Sequence, residues 1–341
     1  MGVGDGMQAT GKALGRRAVL AAPLSAVIAG PAAAQVAGDN WAAAWPKTDF
    51  RRSSVEISDI ISGGPPRDGI PPIDRPVFAA PGDDVGLAGR EPVIGLILNG
   101  EARAYPLQVL TWHEIVNDVV GGIPVCVTYC PLCNTAIVFD RRLDGQALDF
   151  GTTGKLRHSD LIMYDRQTES WWQQYGGDAI IGTLMGKRLA VIPARLESLA
   201  VFRARSPKGV VLVPGNPGMR RYGANPYVGY DSAPAPFLFG GEMPPGGVAP
   251  MMRVVAVGDV AWTLPLLRAR GSIAAGDLLL GWREGQASAL DTSAIAEGAE
   301  VGNVVVQRAG GDAAYVVTFA FAFFAFNPAG VLHTEAGLVR R

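Results

Sequence analysis

The stretch that decides the fold is Val93-Ile94-Gly95-Leu96-Ile97-Leu98-Asn99-Gly100-Glu101-Ala102-Arg103-Ala104-Tyr105. Two strand-like runs flank an Asn-Gly pair, which suits a type I′ turn because both turn residues need positive φ. This pattern predicts a β-hairpin. Pro106 suits the first turn of a helix, so we expect a helix over residues 107–120 that ends at the following Gly-Gly pair.

More strand-like segments follow this hairpin along the chain. Residues 125–129 and 135–140 flank the sequence Cys-Pro-Leu-Cys, and further strands are expected to about residue 213. Near the C-terminus, Phe319, Phe321 and Phe323 alternate with alanines, a period that predicts a core strand within residues 315–326. The sequence therefore predicts a β-rich α+β protein with mostly antiparallel sheets.

The domain organisation contains a weak internal repeat. Residues 254–266 echo residues 96–107, and residues 278–291 align on 127–140, with Gly281 opposite Cys130. We therefore expect two related halves that arose by duplication. The full division has six parts: a signal segment 1–34, an irregular segment 35–75, a Cys/His-bearing β-rich domain 76–213, a connector 214–250, a degenerate second half 251–328 and a tail 329–341.

The connector is recognised by its composition. It contains eight prolines and eight glycines among 37 residues, which excludes regular helix and central strand. It also contains several aromatic residues, among them Tyr227 in an Asn-Pro-Tyr sequence. We expect this segment to pack over a site instead of extending into solvent.

The first 34 residues have the pattern of an export signal. Arg16-Arg17 precedes an Ala-rich apolar stretch, and Ala32-Ala33-Ala34 supplies the small residues that a signal peptidase requires. This predicts a substrate of the twin-arginine translocase and a periplasmic or secreted protein. Such substrates generally cross the membrane folded, which favours a metal or redox site that is assembled beforehand.

Composition excludes several classes of function. The 341 residues are 48% hydrophobic, with 30 Lys+Arg against 31 Asp+Glu, which argues against a disordered chain. A net charge of −1 argues against a nucleic-acid-binding protein. No apolar run of about 18 residues follows the N-terminal segment, so no integral membrane segment is expected in the mature chain.

The chemistry-bearing residues are few and clustered. All three cysteines, Cys126, Cys130 and Cys133, lie within eight residues, and the chain has only three histidines. The Cys-x-x-Cys spacing lets Cys130 and Cys133 bind one ion, and His113 is the expected third ligand. Three further residues are candidate ligands: Cys126, His158 and Met163. A Cys/His/Met set favours copper first, whereas Cys/His alone also suits zinc.

Two other hypotheses use the same cysteines. In one, Cys130 and Cys133 cycle between dithiol and disulfide in an oxidising compartment, as in a thiol–disulfide oxidoreductase. In the other, the thiols are only structural and the protein is a non-catalytic interaction module. The sequence leaves open whether a metal-binding protein would be an enzyme or a carrier, and it names no partner beyond the translocase. Separately, Lys155 and Arg157 follow a glycine-containing turn and form a candidate anion-binding pair.

Several motifs together resemble a known family. They are Gly100 to Pro106, His113 to Asp118, Val127 to Cys133, Phe139 to Arg141 and Met163 to Arg166. The chain resembles a bacterial domain-of-unknown-function family, number three-one-seven-nine, over most of the mature chain. The resemblance implies no established reaction. It extends to His113, Cys130 and Cys133, which match the family motif.

Overall fold

The computed structural model describes residues 1–2 and 41–341, so the predicted signal segment lies almost wholly outside the described residues. Four helices of seven residues each are present in the described part: α1 Leu107–His113, α2 Leu199–Arg205, α3 Leu264–Arg270 and α4 Ala320–Phe326. None of the helices in this part is long and apolar enough to cross a lipid bilayer.

The strands of the first part of the chain run to Val213. They are β1 Ile60–Ser62, β2 Val77–Ala79, β3 Pro92–Leu98, β4 Glu101–Pro106, β5 Ile115–Val120, β6 Ile123–Cys130, β7 Thr135–Asp140, β8 Arg142–Leu143, β9 Gln146–Ala147, β10 Phe150–Arg157, β11 Asp160–Asp165, β12 Trp171–Gln173, β13 Ala179–Ile181, β14 Ala190–Ile192, β15 Arg195–Ser198 and β16 Val210–Val213. The strands of the second part are β17 Arg253–Val257, β18 Val260–Thr263, β19 Ser272–Ala275, β20 Leu278–Arg283, β21 Asn303–Arg308, β22 Gly311–Asp312, β23 Val316–Phe319, β24 Val331–Thr334 and β25 Gly337–Arg340.

Five larger sheets form a ring like a five-bladed propeller, and most strand pairs are antiparallel. The predicted β-rich α+β class with mostly antiparallel sheets is therefore confirmed. The predicted hairpin is also present, because Leu98 pairs with Glu101 across Asn99 and Gly100, which have φ of 49° and 82°.

The same strand order occurs twice. Two five-stranded sheets have the orders β15-β3-β4-β16-β2 and β23-β17-β18-β24-β25, and in each sheet the fourth strand is parallel to the third. Two four-stranded sheets, β14-β7-β6-β5 and β19-β20-β21-β22, follow helices α1 and α3 respectively. We call the sheets β15-β3-β4-β16-β2 and β14-β7-β6-β5 the first half. We call the sheets β23-β17-β18-β24-β25 and β19-β20-β21-β22 the second half. The second half uses residues 331–340, predicted as a tail, for β24 and β25.

The fifth sheet has no counterpart in this scheme. Its order is β1-β10-β11-β12-β13, and we call it the extra sheet. The two halves share one large apolar core, to which both contribute fully buried residues such as Leu110 and Leu267. The repeat therefore builds one packed unit, since neither half encloses this core alone.

Two predicted elements extend less far than expected, because each continues as the other type of secondary structure. The helix expected over residues 107–120 ends at His113, because Glu114 adopts φ of 58° and the β-branched residues after it form β5. His113 and Asn117 therefore do not share a helix face. The strand expected within residues 315–326 is β23 followed by α4, since five of the seven residues of α4 are buried and its hydrophobic pattern has no exposed face.

The connector, residues 214–250, contains no strand and one short 3-10 turn, Tyr230–Ser232. It packs against the turns that carry the cysteines and His158. Tyr230 donates a hydrogen bond to the Leu132 carbonyl (3.0 Å), and Ser159 Oγ donates to the Phe237 carbonyl (2.7 Å).

Candidate metal centre

The Cys-x-x-Cys sequence forms the turn between β6 and β7. Cys130 ends β6 and pairs with Thr135, so the four residues between them reverse the chain. Asn134, with φ of 55°, completes the turn, and its amide donates to the Pro131 carbonyl. The turn is buried: Cys130 is 1% exposed and Cys133 is fully buried.

A second turn, between β10 and β11, lies against the first. His158 and Ser159 have φ of 53° and 62°, and Asp160 is the first residue of β11. The Cys130 thiol donates to the Ser159 carbonyl (3.6 Å), and the Cys133 thiol donates to the His158 carbonyl (3.8 Å). These contacts hold the two turns together and bring Asp160 next to both sulfurs.

Cys130, Cys133 and Asp160 together form what we call the Cys/Cys/Asp group. One ligand atom from each residue, two sulfurs and a carboxylate oxygen, lies within 4.8 Å of the other two. All three residues are buried, and in the described chain none of them forms a salt bridge. The spacing and the donor types would allow these three residues to hold a metal ion.

Asp160 is oriented by hydrogen bonds to one of its oxygens. Oδ2 accepts from Gln173 Nε2 (2.7 Å) and from the Tyr175 amide (2.8 Å). Oδ1 has a long contact with Thr135 Oγ1 (3.4 Å), which donates more closely to Gln174 Oε1 (2.6 Å). One carboxylate oxygen is therefore held in place while the other remains available to a ligand.

Burial controls the protonation of the group. Burial raises the pKa of Asp160 to about 7, and it raises the pKa of Cys130 and, more strongly, of Cys133. The nearby Glu114 carboxyl is also buried, and burial together with the Asp160 charge raises its pKa to about 8. Each of these groups would be charged only at a cost, because burial removes the water that would otherwise stabilise the charge.

Glu114 is held in a strained conformation. Its φ and ψ are 58° and −33°, which non-glycine residues rarely adopt. The backbone is fixed on both sides, since the Glu114 amide donates to the Leu110 carbonyl and its own carbonyl accepts from the Tyr129 amide (2.8 Å). Such strain costs of the order of 1–3 kcal/mol and is concentrated at functional sites.

His113, the third ligand expected from the sequence, is not part of this group. Its Nδ1 lies 2.7 Å from the Pro71 carbonyl, and its Nε2 lies 2.7 Å from the Tyr222 hydroxyl. The carbonyl can only accept, so Nδ1 carries the hydrogen and Nε2 accepts from the hydroxyl. Burial lowers the pKa of His113, which keeps the ring neutral.

The other candidate ligands lie in different surroundings. Cys126 is fully buried in the middle of β6, opposite Phe139, and is outside the Cys/Cys/Asp group. His158 approaches the group with its backbone carbonyl, whereas its ring packs edge-on against Phe326. Met163 is fully buried on β11, opposite Trp172, within the apolar cluster that also contains the cysteines.

The predicted anion-binding pair, Lys155 and Arg157, lies on β10 of the extra sheet. Lys155 Nζ is 3.5 Å from Ser62 Oγ and lies over the Trp41 ring. Arg157 Nε is 3.7 Å from a carboxylate oxygen of Asp59.

Asp160 is the residue that sequence reasoning missed as a ligand. It lies 27 residues beyond Cys133 on a different sheet, so no local spacing connects the two. The only signal in the sequence is an aspartate that follows directly after a His-Ser pair at a turn.

Comparisons with known proteins place the chain in a family. The model of the family described as "Protein of unknown function (DUF3179)" matches residues 67–330, which is more than half of the chain. Neither the search of curated proteins nor the search of solved structures returned a match. The matched region contains every element of the Cys/Cys/Asp group and most of both halves, so the chain belongs to the DUF3179 family.

Proposed function

We propose that the Cys/Cys/Asp group binds one metal ion and that this is the function of the site. The observation that carries the proposal is the convergence of three buried ligand atoms within 4.8 Å. The two turns that supply these atoms come from different sheets. If these residues only filled space, apolar side chains would pack equally well. Apolar side chains would also avoid the free-energy cost of burying a carboxyl group.

A cation would remove the electrostatic cost of the site. Without one, burial keeps both thiols protonated, because it raises their pKa. A bound metal ion stabilises thiolate and carboxylate and displaces their protons. We therefore expect metal binding to release protons and to weaken as the pH falls.

The donor set favours zinc over copper. Copper was the first expectation when imidazole and thioether were counted as ligands, but two thiolates and a carboxylate form a harder set that zinc accepts readily. Three protein ligands leave the fourth tetrahedral position of zinc for water or substrate. That is the arrangement of catalytic zinc sites, and it also permits transfer of the ion.

Thiol–disulfide exchange is the second candidate function, since Cys130 and Cys133 are free thiols in a shared turn. Two observations weigh against it. Both residues are at most 1% exposed, and burial raises the pKa of both thiols, which reduces the reactive thiolate. If both functions fail, the hypothesis of an interaction module with structural thiols remains.

Metal analysis of the purified full chain tests the proposal. We expect about one zinc per chain after reconstitution, and we expect it to be lost in the Cys130→Ser, Cys133→Ser double variant and in Asp160→Asn. Cys126→Ser is the matched control, because that thiol is equally buried but lies outside the group. Metal that persists in the double variant would overturn the proposal. A metal-free protein whose Cys130 and Cys133 oxidise reversibly would favour redox chemistry.

We also propose that the protein is exported by the twin-arginine route, as the N-terminal sequence predicts. Folding before transport would allow the site to be loaded in the cytoplasm. An Arg16→Lys, Arg17→Lys double variant should accumulate inside the cell, whereas the parent should reach the periplasmic fraction. Equal periplasmic amounts of both proteins would contradict this route.

A further inference from the structure

A cavity of about 530 Å³ lies beside the extra sheet, a volume typical of a small-molecule site. Its walls come from the extra sheet and from both halves, and the residues that matter here are Arg157, Gln173, Tyr175, Asp178, Arg188 and Phe326. The cavity does not include any member of the Cys/Cys/Asp group.

Arg157 is one of the charged residues that line this cavity. Within the described chain its guanidinium makes no hydrogen bond, and its buried Nε lacks a partner. The nearest carboxylate, on Asp59, is 3.7 Å from Nε, beyond hydrogen-bond distance. A guanidinium offers five donors arranged to match a carboxylate, so a half-buried arginine with none of them used points to a ligand.

One wall of the cavity is aromatic. The rings of Tyr175 and Phe326 stack with centroids 4.4 Å apart and planes inclined by 14°. The Arg157 guanidinium carbon lies 5.9 Å from the centre of the Phe326 ring. A planar apolar group bound against this wall would place an attached carboxylate near Arg157.

The charges around the cavity limit the ligand. At its rim Arg188 lies 3.5 Å from Asp178, so this pair is close to neutral. Arg157 also lies near the carboxylates of Asp59 and Asp160, which partly offset its charge. One positive charge of this kind suits a monoanion better than a phosphate dianion.

We propose that this cavity binds a small organic monocarboxylate with a planar apolar body, whose carboxylate Arg157 holds. The site lies next to the proposed metal centre, because Gln173 and Tyr175 line the cavity and also donate hydrogen bonds to Asp160. The carboxylate proposal does not depend on a bound metal, since Arg157 belongs to the chain itself.

Calorimetric titration of the full chain with benzoate tests the proposal. We expect saturable binding of benzoate, no binding of the neutral isostere benzamide, and weaker binding of inorganic phosphate. Arg157→Gln should weaken benzoate binding by about tenfold or more, the effect of losing a charged hydrogen-bonding partner. Arg142→Gln, an exposed arginine outside the cavity, is the matched control.

Three results would overturn the proposal: no saturable binding of benzoate, equal binding of benzamide, or tighter binding of phosphate. An unchanged affinity in Arg157→Gln would do the same. If that variant does not fold, Arg157→Lys keeps the charge and should bind benzoate with intermediate affinity. Nuclear Overhauser effects from benzoate to the Phe326 and Tyr175 rings locate the probe in the unaltered protein, and effects confined to other residues would contradict the assignment.

The metal proposal and this proposal can fail separately. The Cys130→Ser, Cys133→Ser variant should lose zinc but retain benzoate binding. Arg157→Gln should lose benzoate binding but retain zinc.

Discussion

The two halves of the molecule have the same framework of strands and helices. They differ in the residues at the positions where the first half carries its chemically reactive side chains. In both halves, a seven-residue helix is followed by a residue with positive φ whose carbonyl accepts a hydrogen bond from an inner strand of the next sheet, β6 or β20. That residue is Glu114 in the first half and Gly271 in the second. Strand β6 of the first half ends at Cys130, whereas strand β20 of the second half ends at Arg283.

This difference shows which residues the framework needs. The second half makes the same turn with a glycine, which adopts positive φ without strain, and it makes the strand without a thiol. The strained Glu114 and the buried Cys130 are therefore not required by the fold. Glu114 and Cys130 lower the stability of the fold without being needed for it, so we attribute them to function.

The largest expected effect tests whether the halves share one core. Leu110 and Leu267 occupy the same position of α1 and α3, and both are fully buried. We expect Leu110→Ala and Leu267→Ala each to lower the free energy of unfolding by about 3 kcal/mol. Urea denaturation measures this, with the exposed Leu338→Ala as control. A large loss in one variant only would show that the halves are unequal in the core.

The next effect concerns the first half alone. We expect Glu114 to make the free energy of unfolding depend on pH. Its pKa is raised to about 8 in the folded state against 4.5 ordinarily, so the folded protein holds an extra proton between these values. Stability is therefore greatest below about pH 4.5 for this group and is lost as the pH rises through about 8. Between pH 5 and pH 6.5 the wild type should lose about 2 kcal/mol more than Glu114→Gln.

Denaturation curves at the two pH values check this prediction. The exposed Glu284→Gln is the control and should behave as the wild type. If Glu114→Gln keeps the full pH dependence, the buried carboxyl of the first half does not explain it.

The smallest effect concerns the equivalent residue of the second half. Gly271 has φ of 69°, and a Cβ there would meet no atom within 4 Å. Gly271→Ala should therefore cost about 1 kcal/mol, from backbone conformation alone. Thermal denaturation measures the shift, and Gly311→Ala, in a β-strand where a Cβ would make only an ordinary contact with the Arg308 carbonyl (3.8 Å), should change little. A neutral Gly271→Ala would mean that positive φ at this turn carries little strain.

Local patterns predicted the fold where neighbouring residues decide the structure. The Asn99-Gly100 hairpin is confirmed because the turn depends on two residues alone. The internal repeat that the sequence predicts has a parallel in the structure, where two pairs of sheets share a strand order. The predicted alignment placed Gly281 opposite Cys130, whereas the last residues of β6 and β20 are Cys130 and Arg283. Strands β5 and β19 differ in length, which shifts the sequence register between the halves.

The candidate site was predictable only in part. The Cys-x-x-Cys spacing identified two members of the group, because a tight turn places them together wherever it lies. His113 was a reasonable third ligand on sequence proximity, yet its ring nitrogens bond to Pro71 and Tyr222. The helix expected over residues 107–120 ends at His113, because the next residue, Glu114, adopts a positive φ that no local pattern indicated.

The sequence by itself determined the β-rich class, the hairpin turns, the family and the cysteine pair, since each depends on residues close together in the chain. Only the tertiary structure brought Asp160 to that pair and placed Arg157 in a cavity with Phe326 from the second half. The physical reason is that these juxtapositions depend on how separate sheets pack around a common core. That packing is a sum of many weak contacts between distant residues, and no short pattern records it.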